Sequence, residues 1–164
     1  MIIQLTGQIQ YPITLDASVW IFDDRKILLE DFLAFEKRDN EQSKDEFLKE
    51  ASKRLSDAYT KDPRTKQVNP NMNKKDRNEA LTNSYVMAIE PFIAHAEPKD
   101  TAHTARLITK DNVIEISLEQ LKKSVLHFSN KGKPLTDNGP VHLYFSDGSN
   151  KDQPIKGITK IIIE

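Results

Sequence analysis

Near the start of the chain, apolar side chains keep to one parity. Ile3, Leu5, Ile9, Tyr11, Ile13 and Leu15 all occupy odd positions. A repeat of two places one face of a strand in a core and the other in water, and no helix buries such a pattern. Residues 2–29 are therefore read as mainly β structure. Gly7 and Pro12 interrupt the run, which predicts a bend, a bulge or an edge strand there. Val19-Trp20-Ile21-Phe22 is apolar at both parities and is expected to be a strand covered on two sides. Asp23-Asp24-Arg25-Lys26 then makes a polar turn. A helix is predicted from about Leu29, with Phe32, Leu33 and Phe35 facing inward.

The composition changes at residue 36. About half of residues 36–79 are charged, against roughly a quarter in an average domain. Within this stretch Phe47, Leu48, Ala51, Leu55, Ala58 and Tyr59 fall at helical spacing, which predicts an amphipathic helix over residues 45–59. Residues 60–77 are polar, carry Pro63 and Pro70 and offer little to bury, so a long loop is expected. Regular signals resume with a strand at residues 84–89 and a short helix at 91–96 opened by Pro91. Strands at 105–109 and 113–116 follow, joined by the turn Lys110-Asp111-Asn112. Ser117-Leu118-Glu119-Gln120 has the form of a capping box at the head of a helical turn. Three more strands are predicted at 125–128, 141–145 and 158–163, with turns at 130–134 and 146–150. Strands outnumber helices and the order is mixed. The expected fold class is α+β, a mixed and barrel-like β core with short helices. The 164 residues form one domain with a charged insertion at about 36–80.

The residue inventory excludes several chemistries. There is no cysteine, hence no disulfide, thiolate metal ligand or cysteine nucleophile. The formal net charge of -1 gives no overall footprint for nucleic acid. No stretch reaches the roughly 20 apolar residues of a membrane helix, and the start of the chain lacks a basic leader, so a cytoplasmic protein is expected. His95, His103, His127 and His142 match no metal-ligand spacing. His127 and His142 become neighbours if their strands pair, but a two-histidine site wants a third ligand, so a partly buried structural histidine is the expected reading. No metal or cofactor is expected. Residues 147–152 faintly resemble a calcium loop but lack the alternating acidic pattern and the distal glutamate, so a hairpin turn is the better reading. Asp23 and Asp24 are expected to be solvated, neutralised by Arg25 and Lys26, with Trp20 and Phe22 as core aromatics. Lys61, Arg64, Lys66, Lys74, Lys75 and Arg77 make the loop basic, but no aromatics lie among them to stack bases. Nucleic acid is therefore not an expected partner, and no catalytic motif emerges.

From Ala88 onward the order of motifs resembles the small bacterial form of the sulfite-oxidase-type molybdopterin-binding domain. The resemblance is carried by Ile89-Glu90-Pro91-Phe92-Ile93-Ala94-His95-Ala96-Glu97-Pro98, by Ala105-Arg106-Leu107-Ile108-Thr109-Lys110-Asp111, and by Ile116-Ser117-Leu118-Glu119-Gln120-Leu121. Asn130-Lys131-Gly132-Lys133-Pro134-Leu135, Gly139-Pro140-Val141-His142-Leu143 and Pro154-Ile155-Lys156-Gly157-Ile158-Thr159-Lys160-Ile161 complete it. It covers the second half of the chain and implies that family's scaffold. The family holds molybdenum through a cysteine thiolate, and here the polar insertion stands where that cysteine would lie. The scaffold is thus expected without the metal, as a non-catalytic domain that binds a protein or small-molecule partner. The full chain also resembles small bacterial proteins, some of which are called peptidyl-prolyl isomerases. That likeness makes prolyl isomerisation the alternative function.

Overall fold

A computed structural model describes residues 1–35, 49, 78–79 and 81–164. The helix expected over residues 45–59, the loop at 60–77 with its basic residues, and the side chain of Phe35 lie outside the described residues. The remainder is a mixture of helix and strand, as the α+β reading requires. Its strands form two open sheets rather than one closed barrel.

The first sheet has the order β2-β1-β11-β5-β6. It comprises β1 (Ile2–Gly7), β2 (Ile13–Asp16), β5 (Thr104–Ile108), β6 (Val113–Ser117) and β11 (Lys160–Ile163). The parallel pair β1 and β11 sits among otherwise antiparallel neighbours. Alternation governs this sheet. Ile3, Leu5, Leu15, Ala105, Leu107, Ile161 and Ile163 are buried, while Ile2 and Gln4 on the opposite parity are exposed. Gly7 ends β1 in a left-handed conformation, φ 108°, where a Cβ would strike the backbone of Ile163. Beyond it the parity argument fails for Tyr11, which is 52% exposed. The physical reason is that Gln10 and Tyr11 leave the ladder and donate their N–H groups to the carbonyl of Ala96.

The second sheet has the order β10-β9-β7-β4-β3, with β8 also on β7. Its strands are β3 (Ile27–Leu28), β4 (Tyr85–Ala88), β7 (Ser124–Asn130), β8 (Lys133–Pro134), β9 (His142–Phe145) and β10 (Ile155–Lys156). The β7–β8 hairpin turns at Lys131 and Gly132, both at positive φ (47° and 75°), the geometry whose twist suits a two-residue loop. Inward residues Met87, Leu126, Phe128 and Leu143 share one core with the first sheet. The outward face carries a second, smaller cluster of Val86, Val125 and Tyr144 capped by Phe32. Phe32 comes from helix α1 (Leu29–Phe35), with Leu33 packed at the edge of the cluster, as the spacing predicts.

Two short helices close the ends of the core. Helix α2 (Glu90–Ala96) carries Pro91 in its first turn and buries Ile93 and Ala96. Helix α3 (Leu118–Lys122) is capped by Ser117, whose Oγ accepts from Gln120 N at 3.1 Å. One expectation is overturned. Residues 20–22 form a 3-10 turn and not a two-sided strand. The Asp16 carboxylate accepts hydrogen bonds from Ser18 N and Oγ, which turns the chain before a ladder can begin. The turn drives Trp20 inward to 4% exposure and leaves Phe22 at 49%, so only one of the two aromatics belongs to the core. Trp20 stacks on Phe92 of α2 and meets Phe128 of β7 edge-on, each at 5.5 Å between ring centres.

Candidate functional site

Among the four histidines the fold brings two together. His95 is exposed in the last turn of α2, and His103 is exposed on the loop before β5. His127 and His142 are directly opposite each other on β7 and β9, with ring centres 5.5 Å apart and planes at 73°. Both project from the outward face of the second sheet, because Leu126 and Leu143 on the alternate parity point into the shared core. Tyr144 lies 6.1 Å from His127, ring centre to ring centre. Ser129 follows two residues along β7 on the same face.

Each ring is oriented by a backbone carbonyl. His127 Nε2 donates to Ser129 O at 2.8 Å, and His142 Nε2 donates to Asn138 O at 3.1 Å. A carbonyl only accepts, so Nε2 carries the proton in both rings. In the neutral imidazole that leaves a lone pair on Nδ1. The Asn138 carbonyl is itself held in a tight bend, since a Cβ at Gly139 would collide with Leu135 O.

Burial sets the protonation state. Desolvation lowers the pKa of His127, opposed by the bond to Ser129. His142 is lowered to about 4, first by desolvation, then by the charged forms of His127 and Lys156, against the bond to Asn138. Both rings are neutral at pH 7. His127 and Ser129 are only 6% and 3% exposed, and His127 Nδ1 and Ser129 Oγ find no hydrogen-bond partner among the described residues. A buried polar atom left in that state costs about 1–3 kcal/mol.

The other candidates disperse. Asp23 is buried and not solvated, contrary to expectation: Arg25 folds back over its carboxylate through Nε and Nη2 and lies across the Phe92 ring. Asp24 stays exposed, so the two carboxylates share no site. In the turn at 146–150, Asn150 Oδ1 accepts from Phe145 N at 2.8 Å and its Nδ2 donates to Leu143 O at 2.9 Å. That side chain is committed to closing a hairpin turn, as the sequence predicts. Among the described residues no three His, Asp or Glu side chains gather as a metal cluster, and no helix is long and apolar enough to cross a membrane.

Sequence reasoning raised the His127–His142 pairing and a partly buried structural histidine there, but missed the burial of Ser129. For His127 the signal was its place between Leu126 and Phe128 in an apolar run, whereas Ser129, followed by Asn130 and Lys131, carried none. No protein-family model matches the chain, and no curated protein matches it.

Proposed function

We propose that this chain is a non-catalytic binding domain whose ligand engages the outward face of the second sheet. One observation carries the reading. That face buries two polar side-chain atoms, His127 Nδ1 and Ser129 Oγ, without hydrogen-bond partners among the described residues. Each such atom is a cost to the fold, and a ligand that supplies the missing interaction offsets it.

The scaffold is proposed to be of the sulfite-oxidase molybdopterin type. Support comes from the order in which the resembling motifs fall on elements: Pro91 at the head of α2, Gly132 in the β7–β8 turn, Gly139-Pro140 before β9, and Gly157 before β11. The donor set does not fit molybdenum. A soft metal centre of this family needs a thiolate, and the chain has no cysteine to give one. The proposed role is therefore binding on a scaffold that holds no molybdenum.

Elemental analysis of the purified protein tests the reading, and no stoichiometric molybdenum is expected. Bound molybdenum at one equivalent sinks it. In the same preparation a coupled proline-isomerisation assay is expected to run at the uncatalysed rate. A protein-dependent rate makes the chain an enzyme instead.

A further inference from the structure

We propose that His127 and His142 are paired nitrogen ligands for one divalent ion of the copper, nickel and zinc class, and that this ion is the ligand of the outward face. The inference rests on the binding-domain reading and replaces the metal-free expectation drawn from sequence.

Geometry is the first argument. A metal–imidazole bond is about 2.0–2.1 Å, so two rings sharing one tetrahedral ion have centres roughly 5–5.5 Å apart. The observed separation is 5.5 Å, with the ring planes well off parallel at 73°. Orientation is the second. Ligating histidines characteristically give their other N–H to a carbonyl or carboxylate, which fixes the tautomer and the ring. Both rings already do this through Nε2, to Ser129 O and Asn138 O, which leaves the lone pair of each neutral ring on Nδ1. The third is the unpartnered state of His127 Nδ1 in a residue that is 6% exposed. An acceptor so placed needs a proton donor or a Lewis acid.

Ligand type selects the ion. Two imidazoles without carboxylates suit copper, nickel and zinc and discriminate against magnesium and calcium. No third His, Asp or Glu joins the pair among the described residues, so water or an exogenous donor completes the coordination. His142 is only half-buried, which gives that donor an approach. Lys156, the cross-strand partner of His142, is the opposing charge, but its side chain is exposed and screened by solvent.

The test uses the full chain, freed of metal by a chelator and titrated with Cu²⁺, Ni²⁺ and Zn²⁺. One ion per chain is expected, with copper the tightest. Long-range ¹⁵N NMR on the zinc-loaded wild type reads the ligand atoms directly. The Nδ1 resonances of His127 and His142 should shift, and those of His95 and His103 should stay. His142→Ala is expected to weaken binding by about tenfold or more, since even outer-shell losses cost that much. Absent binding, unmoved Nδ1 resonances or an unchanged Kd in His142→Ala each overturns the inference. The NMR result stands whether or not the variant folds. A chain that takes up none of these ions and is also free of molybdenum loses only this inference, whereas stoichiometric molybdenum removes the reading beneath it.

Discussion

In the first sheet, β5 buries Ala105 and Leu107 and turns Arg106 outward, where it meets Glu164 at 2.7 Å across a solvent-facing surface. In the second, β7 buries every residue from Ser124 to Ser129, with both parities covered. The difference lies in what each sheet does with polar side chains. A sheet with one wet face sends them to water. One covered on both faces keeps whatever its sequence supplies, and each buried polar atom then needs a partner. Ser124 has one, since its Oγ donates to Gln120 O at 2.7 Å. Two residues apart on the outward face, His127 and Ser129 each keep one atom without a partner.

The contrast breaks most directly on a matched pair of substitutions. Val86 is fully buried on the outward face of the second sheet, whereas Gln4 points to solvent from the first. Val86→Glu is expected to lower stability by several kcal/mol, on the order of 2–7, because a carboxylate would be taken out of water. Gln4→Glu should stay within about 0.5 kcal/mol. Urea unfolding of both proteins decides it, and equal losses would mean the second sheet is wet on one side after all.

Titration comes next. His127 and His142 have folded-state pKa values below that of a free imidazole, His142 at about 4. Between that value and about 6.5 the unfolded chain binds more protons than the folded one, so stability rises with pH across this window. It is complete above about 6.5, falls as acid is added, and levels off below the folded-state values. Denaturant midpoints measured in metal-free buffer from pH 7 to pH 4 should fall in this way. His142→Ala should flatten part of the slope, and a slope unchanged by that substitution would separate the acid sensitivity from His142.

The smallest effect divides β7 itself. Ser129→Ala removes a buried hydroxyl with no partner and is expected to be neutral or to stabilise by about 1 kcal/mol. Ser124→Ala removes a hydroxyl that is bonded and should cost about 1 kcal/mol. Opposite signs in thermal melts sharpen the distinction between satisfied and unsatisfied groups on one strand.

How much of this was legible follows from the same contrast. Ile3, Leu5 and Leu15 announce the first sheet because alternation is the direct signature of one dry face. The turns at Gly132 and residues 146–150, the cap at Ser117 and the proline start of α2 were equally readable, being local chemistry. The segment around Trp20 was misread, because four consecutive apolar residues have the same pattern in a covered strand and in a turn that buries only one of them. The candidate site was half visible. Pairing of His127 with His142 depends on β7 meeting β9, which a regular hairpin-like order suggests. Burial of Ser129 and the choice of Nε2 as donor depend on tertiary neighbours that no local pattern encodes.

The parallel pairing of β1 with β11 has a consequence for how the molecule is made. Residues 160–163 bridge residues 2–7 to residues 104–108. Until residues 160–163 are in place, the β1–β2 and β5–β6 hairpins have no ladder between them and each keeps one edge of open backbone. That seam closes only through contacts between residues far apart in the chain, which form slowly.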